Sequence, residues 1–188
     1  LSMEAGTTIK SGSATAGTGN LTFTGRHIIL NEGVTIDTRS SKGTFGGDIS
    51  LTAKYETSLS GGVSSASITL GDDVTLIGKN ISLTATAKNE VKYDSETDDI
   101  SSLIDEFTGE ILEKIGIDPG EITEQFNISG VITDATAEAK ITIGDNVVMT
   151  ASEKLELKTD ATAKNELKLE GGGLAIGVGM TEANSLIE

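Results

Sequence analysis

The stretch LELKTDATAKNELKL, residues 155–169, decides the fold that this sequence predicts. Its odd positions carry Leu, Thr, Ala and Asn, whereas its even positions from Glu156 to Lys168 are all charged except Thr162. Strict alternation with a period of two is typical of a strand that buries one face. The word ATAKNE occurs at residues 161–166 and also at residues 85–90. The sequence therefore predicts a repeat protein built from half-buried strands.

Apolar positions outside this stretch recur in register, which extends the repeat through most of the chain. Leu70 follows Leu30 at the same spacing at which Leu76 follows Ile36. The pairs Ile49 with Ile81 and Leu51 with Leu83 share a shorter spacing, and the pairs Ile68 with Ile141 and Leu76 with Met149 share a longer one. A period of roughly 40 residues made of short strands indicates a solenoid or a propeller. Propeller blades usually carry an aromatic signature, and aromatic residues make up only 3% of this chain.

Three short apolar segments lie within residues 67–85, at 68–70, 74–76 and 81–83, with turn residues between them. Three such strands predict one triangular turn of a parallel β-helix, so one full period would span two turns. The predicted fold class is therefore all-β, a parallel β-helix (solenoid) with one amphipathic α-helical insertion. Neither end carries an obvious cap, so we expect a segment of a longer solenoid or a subunit that stacks end to end.

The longer spacing, between Ile68 and Ile141, exceeds the basic period and therefore requires an insertion, which we assign to residues 93–127. Within it, apolar residues fall at helical spacing: Ile100, Leu103, Ile104, Phe107, Ile111, Leu112 and Ile115. This pattern predicts one helix over residues 99–115 that packs on the solenoid, with Gly116 as its stop. A partner or a membrane is the alternative contact for that helix. The domain prediction is thus 1–92, 93–127 and 128–188, forming one continuous domain.

Composition excludes several classes of protein. A net charge of −15 disfavours binding to the phosphate backbones of nucleic acids. The chain has no cysteine, so it has neither a disulfide framework nor a thiolate metal site. It contains no run of 18 apolar residues, so no membrane-spanning helix is predicted.

Acidic residues are the main candidates for chemistry, and their plain interpretation is structural. The segments GDD at 71–73 and GDN at 144–146 read as turns. Weak calcium binding is the sharper alternative for the acidic residues of these turns and of the segment at 94–99: Asp72, Asp73, Asp94, Asp98 and Asp145. His27 is the only histidine and would need a deep pocket to act in a catalytic triad. Asn89 and Asn165 fall on the inward face, where we expect a structural role in which their amides bond either to backbone groups at a bend or to stacked partners. No catalytic, cofactor-binding or metal-binding residue is predicted.

Three segments carry a resemblance to a known class of proteins: AKITIGDNV at 139–147, NISLTATA at 80–87 and LAIGVGMTEAN at 174–184. They resemble the repeats of large bacterial surface adhesins of the filamentous-haemagglutinin-like and leukotoxin-like filamentous types. The resemblance covers most of residues 28–92 and 128–188. It implies a right-handed parallel β-helix, exported to the cell surface and used as a stalk or adhesive fibre. That family brings no catalytic residues.

The sequence thus predicts a non-enzymatic structural segment of a secreted or surface-displayed β-solenoid, acting in adhesion or fibre formation. Its expected partners are copies of itself or further repeats, stacked end to end or laterally, and a host-cell or matrix surface. A carbohydrate-active β-helix enzyme, either a polysaccharide lyase or a hydrolase, is the alternative, because such folds can host paired carboxylates. No cofactor is expected, and the expected location is extracellular or at the cell surface.

Overall fold

The computed structural model describes residues 1–11, 19–40, 42–94, 128–168 and 174–188. Regular structure in this part of the chain consists of strands, and their bounds are β1 Ser2–Met3, β2 Thr8–Lys10, β3 Leu21–Gly25, β4 His27–Leu30, β5 Thr35–Asp37, β6 Ile49–Thr57, β7 Gly62–Leu70, β8 Thr75–Asp94, β9 Ile128–Ile143, β10 Val148–Lys168 and β11 Leu174–Ile187. The chain forms strands because short runs of β-branched and apolar residues are separated by turns of Gly, Asp and Asn.

The strands form two sheets in which every pairing is parallel. The first sheet has the order β1-β4-β7-β9-β11. In the second sheet, β2 pairs with β5 and β3 with β6, both β5 and β6 pair with β8, and β10 pairs with the opposite side of β8. The chain passes repeatedly from one sheet to the other, so each pass adds one strand, or two short ones, to a growing pair of sheets.

Apolar side chains stack in columns along each sheet because the strands pair in register. Ile28 pairs with Ile68, and Ile68 with Ile141, in the first sheet. Leu30 pairs with Leu70, and Ile36 with Leu76. Pairs at the other predicted spacings are Ile49 with Ile81, Leu51 with Leu83, and Leu76 with Met149. The register predicted from these apolar spacings is confirmed.

The core lies between the two sheets and is built from Ile, Leu, Val and Ala. Fully buried side chains include Ile28, Ile68 and Ile141 from the first sheet and Ile81 and Leu83 from the second. Ala85, Ala87, Ala137 and Ala139 continue the core where the two sheets face each other. Small side chains allow the two sheets to approach closely there, and aromatic area contributes little.

The predicted fold class, a right-handed parallel β-helix with an α-helical insertion, is wrong. The parallel sheets form a curled half-barrel rather than a clear solenoid, and no helix occurs in the part of the chain that the structure describes. The physical reason lies in strand length: β8 spans 20 residues and β10 spans 21. Segments 74–76 and 81–83 were predicted as two sides of a triangle, but β8 runs without interruption from Thr75 through residues 81–83. The coarser prediction, an all-β architecture rich in parallel strands, is what the structure has.

The helix predicted over residues 99–115 lies outside the described residues, as does most of the predicted insertion at 93–127. Strand β8 runs to Asp94 and β9 begins at Ile128, so the described strands flank that segment closely. The part of the chain that the structure describes contains no helix long and apolar enough to cross a membrane.

Candidate functional site

The two acidic turns, each of which connects a strand of the first sheet to a strand of the second, lie one above the other. Asp73 and Asn146 adopt positive φ, each at 57°, which is a conformation that Asp and Asn tolerate in turns. The Asp145 backbone N–H donates to Asp72 Oδ1 at 2.8 Å, and the Asp73 N–H donates to the Asp145 carbonyl at 2.9 Å. The Asp72 carboxylate therefore links one turn to the next, which confirms the interpretation of both segments as turns.

Calcium binding at the acidic residues stays a prediction. Asp72, Asp73 and Asp145 meet at the stacked turns, whereas the side chain of Asp94 and all of Asp98 lie outside what the structure describes. Within the described ranges, no group of three or more His, Cys, Asp or Glu side chains could hold a metal ion. Asp72 already uses one carboxylate oxygen for the Asp145 amide.

His27 lies on the outer face of the first sheet, exposed to solvent. Its Nδ1 is 3.0 Å from Ser67 Oγ, because the two residues are paired across β4 and β7. Partial burial, with help from the neighbouring Arg26, lowers the pKa of His27. The lowered pKa favours the neutral imidazole, which lies beside a hydroxyl on an open surface rather than in the deep pocket that a triad needs.

Two asparagines face inward and bond to backbone groups, which is one of the two predicted alternatives, and their bonds connect the two sheets. Asn89 is fully buried, and its Nδ2 donates to the carbonyls of Gly62 at 2.7 Å and Leu59 at 3.3 Å. Asn165 Nδ2 donates to the carbonyl of Thr133 at 3.2 Å and also to that of Met180. Both donors therefore serve backbone acceptors at the point where the sheets meet, which is a structural role.

A shallow groove of about 560 Å³ runs across the outer face of β6 and β8. Its lining residues are Glu56, Thr57, Ser58, Lys88, Glu90 and Lys92. Lys88 Nζ is 3.1 Å from Glu90 Oε2, and Lys92 Nζ is 3.1 Å from Glu166 Oε2 on the next strand. The groove thus presents ammonium and carboxylate groups that already neutralise each other in pairs.

The second notable surface is the free edge of β10. Among the described strands β10 pairs only with β8, so no other described strand lies beside its second edge. We call this edge, with the inward side chains Met149, Leu155 and Leu157, the β10 edge. Leu155 is 46% exposed, whereas its column neighbours Ile81 and Ile49 are each 1% exposed. Apolar side chains and backbone hydrogen-bonding groups are therefore available together along one line.

Sequence reasoning identified the turns and the inward asparagines but missed the groove and the β10 edge. The groove depends on which charged residues of β6 and β8 become neighbours, which requires the pairing of Glu56 with Lys88. The signal for the β10 edge was present in the alternation of residues 155–169, but alternation alone does not show which strands lack a neighbour. Comparisons of the chain with protein-family models, curated proteins and solved structures find no match.

Proposed function

We propose that the chain is a non-enzymatic structural module of a secreted or surface-displayed protein, acting in adhesion or as a fibre-forming component of the cell envelope. One observation carries this proposal: the columns of apolar side chains that run through successive parallel strands, such as Ile28, Ile68 and Ile141. In-register parallel pairing satisfies the backbone of every internal strand. It also allows a sheet to lengthen without any change in the core.

The outer face of the second sheet supports a role in contact rather than in chemistry. Lys and Glu alternate along the strands and form ion pairs between residues two apart, as in Lys54–Glu56 at 3.1 Å and Lys164–Glu166 at 3.6 Å. Such exposed pairs contribute little to stability. They leave a hydrated surface of mixed sign, which suits reversible contact with a glycan or protein surface.

Adhesion is tested with beads coated with chain 1–188. We expect severalfold more of these beads than of albumin-coated beads to resist washing from host-cell or matrix-coated surfaces. The matched variant Lys88→Glu/Lys92→Glu changes the groove and leaves the core intact, so retention should fall towards the albumin level. Equal retention of chain-coated and albumin-coated beads would count against adhesion. Depolymerisation of an acidic polysaccharide by the chain would instead favour a carbohydrate-active enzyme acting at the groove.

A further inference from the structure

At both ends of the second sheet, the same columns of apolar side chains end on side chains that are only partly buried. At one end Leu155 is 46% exposed on the β10 edge. At the other end, Leu21 and Phe23 of β3 and Ile9 of β2 are only partly buried against the core. The internal members of the same columns, such as Leu51 and Leu83, are fully buried. Among the described strands, β10 at one end and β2 and β3 at the other therefore have a neighbour on one side only.

The register along the sheet shows how these two ends correspond. The pairs Leu21–Ile49, Ile49–Ile81 and Ile81–Leu155 form one column. Phe23, Leu51, Leu83 and Leu157 form a second column, and Ile9, Ile36, Leu76 and Met149 a third. A strand added beside β10 in the same register would continue each column with an apolar side chain if that strand were β2 or β3.

We propose that a second copy of this chain docks head to tail, with its β2 and β3 on the β10 edge of the first copy. Leu21, Phe23 and Ile9 of the second copy then lie beside Leu155, Leu157 and Met149 of the first. The contact is a parallel ladder that continues the one between β8 and β10. This inference rests on the proposed structural function and names the partner through which the module would build a fibre.

The outward side chains are compatible with this register. Thr22 of the second copy lies beside Glu156, and Thr24 beside Lys158, as the equivalent Ser82 and Thr84 do within the chain. Neutral hydroxyl groups thus meet charged groups, and no like charges oppose each other. The net charge of −15 on each copy opposes association at long range, so raising the salt concentration should strengthen it.

The first sheet imposes one further requirement. Leu1 and Ser2 occupy the column positions of Ile28 and Ile29, and Ile187 lies in that same column beside Ile141. In the docked pair, Leu1 and Ser2 of the second copy would therefore coincide with Ile187 and Glu188 of the first. Strand β1 must move aside. It is held to its neighbours by backbone bonds such as Ile29 N–H to the Leu1 carbonyl at 2.9 Å.

Sedimentation equilibrium of purified chain 1–188 tests the docking. We expect reversible association that strengthens with salt, and at least tenfold weaker association for Leu155→Lys. The matched variant Leu59→Lys alters a side chain that is 65% exposed in the turn before β7, and it should associate like the wild type. Deleting Leu1 and Ser2 should strengthen association. A monomer at all concentrations, or equal association of Leu155→Lys and wild type, would overturn the proposal.

Cysteine pairs test the register, since the chain contains no cysteine of its own. Adjacent strands lie about 4.8 Å apart, which is within the range that a disulfide bridges. Thr22→Cys mixed with Glu156→Cys should give an oxidised dimer. Thr22→Cys mixed with Asp160→Cys, four residues out of register, should give at least tenfold less. Equal yields would contradict the register. Absence of any dimer, together with retained bead adhesion and an unchanged melting transition, would reject the docking and leave the proposed function standing.

Discussion

Gly144 shows at the scale of one residue how closely the stacked turns approach. A Cβ atom added at this position would lie 2.5 Å from Asp72 Oδ1 and 2.8 Å from the backbone carbon of Gly71. The Asp72 side chain is fixed by its bond to the Asp145 amide at 2.8 Å, so it cannot simply rotate away. Glycine at this position is therefore required by the distance between the turns, since no positive φ is involved.

We predict that Gly144→Ala lowers the free energy of unfolding by about 1–3 kcal/mol, because the added methyl group forces the backbone of the two turns apart. Urea denaturation followed by circular dichroism measures the change. Gly19→Ala is the control: an added Cβ there has no heavy atom within 4 Å, so its effect should stay within about 0.5 kcal/mol. Equal stability of Gly144→Ala and wild type would show that the turns are not in close contact.

Asn89 and Asn165 show which features a residue pattern predicts and which features it does not predict. Their inward position followed from alternation, and the bonds from their Nδ2 groups to backbone carbonyls are one of the two outcomes expected for an inward amide. The alignment of their two strand segments with each other did not follow from the pattern. The two ATAKNE words begin at Ala85 and at Ala161, yet Ala161 pairs with Ala87, so the words stack two residues out of step. A shift of two residues keeps every side chain on its face, and the hydrophobic pattern therefore cannot exclude it.

Strand length is the property that the sequence pattern predicted least well at the scale of an element. β5 and β6 are separated by a loop in which the Thr38 hydroxyl donates to the Gly47 carbonyl at 2.8 Å. β8 covers the corresponding positions as one strand. Its Gly78 lies where a Cβ would approach the Gly47 carbonyl oxygen at 3.2 Å. Without that loop, the positions of β5 and β6 form one continuous strand in β8. Because β5 and β6 themselves lie in one sheet, the expected triangle is replaced by two facing sheets.

The end of β5 carries an ion pair with a defined pH dependence. Arg39 Nη2 lies 2.8 Å from Asp37 Oδ2, and the Asp37 side chain is only 13% exposed. The hydrogen bond from Arg39 lowers the pKa of Asp37. Because the pKa is lower in the folded state than in the unfolded state, this pair stabilises the fold above the unfolded pKa of about 3.9. The contribution disappears as the pH falls through the folded pKa.

We therefore predict that Arg39→Ala lowers the free energy of unfolding by about 0.5–1 kcal/mol at pH 7, with the difference shrinking below pH 4. Chemical denaturation at several pH values between 7 and 3 measures it. Lys54→Ala is the control because both partners of the Lys54–Glu56 pair are about half exposed, and its effect should be near zero throughout. A difference between Arg39→Ala and wild type that is independent of pH would contradict an electrostatic origin.

The molecule as a whole has a gradient of side-chain burial along the direction of stacking. The internal members of each column have neighbouring strands on both sides. The outermost members, such as Leu155 at 46% and Ile187 at 44%, remain exposed. The apolar spacings fixed the register of the internal columns in advance. They could not fix the curvature of the sheets, because curvature depends on strand length and on irregularities such as the register shift between Ala151 and Lys154.

This gradient yields a matched pair of core substitutions. Leu83 is fully buried, whereas Leu155 is half exposed, although both lie on the inner face of the second sheet. We predict that Leu83→Ala lowers the free energy of unfolding by about 2–5 kcal/mol, because it leaves a cavity that neighbours cannot fill. In a dilute monomer, Leu155→Ala should cost less than about 1 kcal/mol, because the side chain keeps much of its contact with water.

Repeating the urea denaturation at increasing protein concentration shows whether the β10 edge is free or covered by a second copy. If a second copy covers the edge, the cost of Leu155→Ala rises with concentration because association stabilises the folded wild type. The cost of Leu83→Ala then stays constant. If both costs are independent of concentration and Leu155→Ala remains below about 1 kcal/mol, the edge is open in solution. A large and constant cost for Leu155→Ala would contradict the exposure of that side chain itself.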